Sequence, residues 1–118
     1  MYTIKLMNKS YNKRKINVYD GKKLIIVIMP YCGWYSVSTS NKELRAIARE
    51  IALDNLYWLL GHDISFEDWI KHIEDWDNGK CLYGVPVDKL SSMFFNKTEK
   101  ELALNSFNKW EVKYDYRR

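Results

Sequence analysis

Two cysteines and two histidines are the side chains of this 118-residue chain best suited to nucleophilic or metal chemistry. A zinc site built from close pairs needs cysteines about two to four apart or histidines roughly three to five apart, so that one turn presents both ligands. Cys32 and Cys81 stand far apart in sequence, and His62 and His72 are separated by ten positions. A thiol nucleophile needs a base beside it, and either histidine could be brought to either cysteine by folding. One cysteine and one histidine, however, single out no catalytic pair. The dipeptide His62-Asp63 lacks the further spaced His and Asp of a metal phosphohydrolase. Gly33, Gly61, Gly79 and Gly84 are isolated, which suits turns and caps and cannot build a phosphate cradle. The chain is therefore expected to work without a metal or a cofactor and not as an enzyme.

The chemistry that remains is recognition. Residues 1–23 carry Lys5, Lys9, Lys13, Arg14, Lys15, Lys22 and Lys23 against a single acid, Asp20. Residues 62–79 carry Asp63, Glu67, Asp68, Glu74, Asp75 and Asp77 against Lys71 alone. The net charge of +4 hides this asymmetry. Eighteen residues are Trp, Tyr or Phe, a supply of large amphipathic contact groups. Two patches follow as candidates. Tyr11, Lys13, Arg14, Lys15 and Tyr19 form a basic, aromatic one that could meet acidic groups or the phosphates and unpaired bases of a nucleic acid. Glu67, Asp68, Glu74 and Asp75 form an acidic one that could dock on a basic groove or imitate phosphates locally. Competing with both are ordinary structural roles, in which lysines guard a sheet edge and acids line a solvated helix face.

The elements that must position these residues can be read from periodicity. Tyr2, Ile4 and Leu6 alternate with Thr3, Lys5 and Met7, as in a half-buried strand. A second strand is expected over Lys15–Tyr19, then a hairpin turn at Asp20-Gly21. Its return strand, Lys22–Met29, is apolar on both faces and so central, and Pro30 should end it. Trp34–Thr39 reads as a fourth strand. From Ser40 the period becomes helical: Ser40-Asn41-Lys42-Glu43 has the pattern of a capping box, and Leu44, Ile47, Ala48, Ile51 and Ala52 make one stripe. Leu53–Leu60 is apolar almost all round, which calls for deep burial or a homodimer seam, with Gly61 as its C-cap.

Ser65 opens the cleanest amphipathic helix, with Phe66, Trp69, Ile70, Ile73 and Trp76 on one side and Asn78-Gly79 as the stop. Cys81-Leu82-Tyr83 suggests a short strand and Val87–Phe95 a short helix. Thr98–Glu101 caps a further helix carrying Leu102, Ala103 and Phe107. Trp110, Val112, Tyr114 and Tyr116 alternate, which predicts a C-terminal strand joining the N-terminal sheet. Trp69 and Trp76 are expected in the core, whereas Trp34 and Trp110, read as strand residues, are candidates to face out as interface anchors.

Together these elements predict an α+β fold in one domain over residues 1–118: a twisted antiparallel sheet of four N-terminal strands plus the C-terminal one, with three to four helices on one face. The other face would be free to present Tyr and Lys. The longest apolar run, Leu24–Met29, is far too short to span a membrane, no signal peptide is apparent, and two lone cysteines fit a reducing cytoplasm. Richness in Lys, Asn, Ile and Tyr leans toward an AT-rich genome. The leading expectation is a non-enzymatic binding protein of the phage or mobile-element accessory kind. Such a protein would block a host protein or nucleoprotein complex, a CRISPR–Cas effector or another defence enzyme for example. A small nucleic-acid-binding module using the basic hairpin is the alternative.

Overall fold

The computed structural model describes residues 2–8, 14–31, 33–60, 64–78 and 97–113. Four strands come first: β1 (Tyr2–Asn8), β2 (Arg14–Asp20), β3 (Lys23–Tyr31) and β4 (Trp34–Ser38). They form an antiparallel meander in the order β1-β2-β3-β4. The helices follow as α1 (Arg45–Asp54), α2 (Leu56–Leu60), α3 (Phe66–Asp77) and α4 (Lys97–Lys113). The fold is α+β, as the periodicities require.

Local chemistry explains most boundaries and corrects several. Asp20 pairs with Lys23, so the tight turn is Gly21-Lys22, one position later than the dipeptide suggests. Gly21 supplies its positive φ of 63° at no steric cost. Pro30 does not end β3: it pairs with Tyr35 of β4. The β2 ladder has already stopped at Ile28, so on that side the missing N–H forfeits no bond. Gly33, at φ 76°, returns the chain from Tyr31 to Trp34. The cap after β4 is Asn41 rather than Ser40; its side chain accepts the Glu43 amide at 2.9 Å and opens a 3₁₀ turn over Lys42–Leu44 before α1. Asn55 breaks the long apolar stretch into α1 and α2. Ser65 caps α3 as expected, accepting from the Asp68 amide.

The C-terminal strand is not formed. Trp110 to Lys113 continue α4, whose Ala103, Ser106, Phe107 and Trp110 fall at i, i+3, i+4 and i+7 and are buried. That helical stripe outweighs the alternation that begins at Trp110. Trp110 is accordingly buried, and Trp34 of β4 is buried as well, its ring 5.0 Å from that of Trp76 of α3, so neither faces out. The readings over Cys81–Phe95, the cap at Gly61 and residues 114–118 lie outside the described residues.

Among the described residues two clusters make up the core. Between sheet and helices, Ile16, Val18, Ile26 and Ile28 are fully buried against Ala48, Ala52 and Leu59. Each such aliphatic side chain contributes about 1.5–3 kcal/mol, and the two alanines let α1 lie close to the strands. The second cluster joins Trp34, Leu53, Leu56, Tyr57, Trp69, Ile73, Trp76, Ala103, Phe107 and Trp110. Tyr57 stands edge-on to Trp69 and Phe107, with centroids 5.2 and 4.7 Å away. Two indole donors find carbonyls: Trp69 Nε1 donates to Ala103 O at 3.2 Å, and Trp76 Nε1 to Gly33 O at 3.0 Å. Tyr35 and Trp58 pack against both clusters and tie them together. Leu53, Leu56, Tyr57 and Leu59 are thus consumed inside the chain, which favours deep core over a seam between copies. Among the described residues no helix is long and apolar enough to cross a membrane.

Candidate functional site

Strand alternation sorts the basic patch. Ile16 and Val18 point at the helices, so Lys15, Asn17 and Tyr19 point to the opposite, outer face of the sheet. Arg14 shares the inner side with Ile16. Its Nη1 donates to the Trp58 carbonyl at 2.6 Å, and its guanidinium lies 5.4 Å from the Trp58 ring centroid. Arg14 and Lys15 are neighbours in sequence and look in opposite directions. Tyr11 and Lys13 lie outside the described residues.

On the outer face, register places Lys5 directly opposite Asn17, and Asn17 opposite Val27. Lys5 Nζ sits 5.1 Å from the centre of the half-buried Tyr19 ring, a cation–π contact. Asn17 is only 6% exposed; its Nδ2 donates to the Tyr19 hydroxyl at 3.4 Å, and its Oδ1 has no hydrogen-bond partner among the described residues. Leu24, opposite Tyr19, is 45% exposed, and Met29 along the same strand is 46% exposed. A β-bulge at Val18/Tyr19 sets Leu24 on this face, because it leaves Ile25 as the extra residue. Cations, an aromatic ring and exposed aliphatic groups therefore share one sheet surface, and the described helices pack on the other.

The acidic candidates also share a surface. Glu67, Asp68, Glu74 and Asp75 fall within one arc of α3, opposite the buried Trp69, His72, Ile73 and Trp76. Glu67 and Asp68 occupy the first turn, where the helix dipole favours negative charge. Asp75 is half-buried and pairs with Lys71 at 3.1 Å; the other three are exposed. The basic patch lies on the sheet and the acidic one on a helix that packs against α4, so the two do not combine into one site.

Lys5, Leu24 and Met29 belong to the outer surface but are invisible to a search for clustered charge. Their signal is the β1–β2 register and the bulge, both set by pairing rather than composition. A third polar group is internal: Arg49 on α1 pairs with the buried Glu99 of α4 at 3.3 Å, and both charges act on the phenol of Tyr35 of β4. Burial, with the Glu99 carboxylate adding to it, pushes the Tyr35 phenol up to about 12 against the lowering effect of Arg49. This triad ties sheet to helices. Among the described residues no three His, Cys, Asp or Glu side chains converge as metal ligands. No protein-family model, curated protein or solved structure matches the chain.

Proposed function

We propose that this chain is a non-enzymatic binding protein that covers a surface of a larger protein machine through the outer face of its sheet. Its action would be steric and electrostatic blockade, in keeping with a small accessory protein of a phage or mobile element. The observation that supports the reading is the composition of that face. Lys5, Lys15, Tyr19, Leu24 and Met29 combine charge, an aromatic ring and flexible aliphatic groups, as protein interfaces do. A partner surface with acidic groups around an apolar centre is its complement. The acidic arc of α3 is the competing contact.

Single-stranded nucleic acid is the second reading, favoured by the Lys5–Tyr19 contact, since a ring flanked by a cation can stack a base and neutralise its phosphate. Capture from a low-GC bacterial lysate, with and without nuclease, separates them. Wild type is compared with Lys5→Glu/Lys15→Glu and with Glu67→Lys/Glu74→Lys. A stoichiometric protein that survives nuclease and is lost only with the sheet variant is the expected result. Loss of every partner on digestion would transfer the sheet face to nucleic acid. Capture unaffected by either charge reversal would remove both patches from the interface.

A further inference from the structure

The two edges of the sheet are built differently. β4 is five residues long, and its Tyr35 and Val37 pack against the core clusters. β1 runs for seven residues and, among the described residues, pairs only with β2. Its Tyr2, Ile4 and Leu6 lie in register with Asp20, Val18 and Ile16, on the face that the helices cover further in. Ile16 and Val18 are fully buried there, yet Tyr2, Ile4 and Leu6 remain 42%, 46% and 37% exposed. Among the described residues the apolar layer thus extends one strand beyond its roof. The usual protections of an edge are lacking on this face of β1: no proline, no bulge and no inward-pointing charge interrupts it.

We infer that β1 pairs antiparallel with β1 of a second copy, joining two sheets around a two-fold axis. The sequence of the strand selects the register. A two-fold centred on Lys5 would set ammonium against ammonium, which is unfavourable for directly opposed residues. Centring on Thr3 would carry Leu6 beyond the described start of the partner strand. Centring on Ile4 sets Ile4 against its own copy, Tyr2 against Leu6 twice over, and Thr3 against Lys5 twice over. That one register closes the whole apolar triad and keeps the lysines apart. The interface is isologous, as a two-fold requires, and it leaves the outer face of both sheets open for a different partner. Three partly exposed side chains offer on the order of 250 Å² per copy, against about 800 Å² per partner in a standard interface. Backbone pairing supplies part of the remainder, and the dimer is weak and concentration-dependent.

Sedimentation velocity across low to high micromolar concentration tests this on the full chain, with any purification tag at the C-terminus. Ile4→Lys places a charge at the two-fold and should leave a monomer. Thr3 lies on the outer face, away from the core, so its variants report on register without disturbing the fold. Thr3→Glu should tighten the dimer about three- to tenfold through two Glu–Lys pairs, an advantage that salt erodes. Thr3→Lys should loosen it by a similar factor. Far-UV circular dichroism and thermal midpoints confirm that each variant is folded. A wild-type chain that stays monomeric at every concentration overturns the inference, as does a dimer indifferent to Ile4→Lys or to the sign of charge at position 3.

Discussion

Replacing Arg14 by Gln separates a structural arginine from a contact one. The side chain makes a charge-assisted hydrogen bond of 2.6 Å to the Trp58 carbonyl and lies over that residue's ring at 5.4 Å. A hydrogen bond from a charged donor contributes about 1.5–3 kcal/mol, and a cation–π contact near the surface about 0.5–1. Arg14 is half-buried and Trp58 likewise, so water can partly replace the lost donor. The low end applies, and Arg14→Gln should cost about 2 kcal/mol. At this chain length roughly 4 °C accompanies each kcal/mol, so thermal unfolding followed by circular dichroism should show a fall of about 8 °C. Arg14→Lys should fall nearly as far, because an ammonium keeps the charge but loses the planar fork that spans carbonyl and ring. Affinity for any partner held by the outer face should stay unchanged at temperatures where the variants are folded. Unfolding at the wild-type temperature together with lost affinity would refute the clamp and return Arg14 to the binding surface.

Two further outcomes concern the interior. The Tyr35 phenol is raised from 10.0 to about 12, so the unfolded chain releases that proton first as pH rises. Its contribution is intact below pH 10 and is lost between about pH 10 and 12, amounting to about 2–3 kcal/mol. Urea unfolding of Tyr35→Phe should lack this part of the alkaline limb, and identical pH slopes in the two proteins would contradict it. Ser106 is fully buried on α4 and its Oγ accepts the Tyr57 amide at 2.9 Å. Ser106→Ala should lower stability by about 1–3 kcal/mol by stranding that donor; a urea midpoint equal to wild type would show that the donor finds another acceptor.

Much of the architecture was legible because its signals are local. α3 announces itself through its Ser65 cap and a stripe of Trp69, Ile73 and Trp76, and packing only confirms the face those residues define. The C-terminal segment misled because Trp110 belongs to two patterns at once. It begins an alternation with Val112 and also ends the stripe from Ala103, and burial of Phe107 and Trp110 against Tyr57 and Trp58 decided for the helix. The candidate surface was half legible. Alternation alone separates Arg14 from Lys15 once Ile16 and Val18 are taken as the buried pair, yet charge clustering grouped them. The Arg14–Trp58 contact spans 44 residues, and the pairing of Lys5 with Asn17 depends on the register between two strands. Neither distance is written in local sequence.

Among the described residues the strands pair only with their sequence neighbours, whereas the second core cluster is closed across the length of the chain. The β2–β3 turn needs two residues, while the Trp76–Gly33 bond spans 43 and the Tyr57–Ser106 bond 49. Loop closure over the longer spans costs roughly 2–3 kcal/mol more. During synthesis the sheet and its α1–α2 roof can therefore be complete once residue 60 has emerged. Leu53, Leu56 and Tyr57 then have only Trp34 and their near neighbours for company until Trp69, Phe107 and Trp110 arrive. For that interval the nascent chain carries an apolar flank in water, and it is there that a chaperone has most to protect.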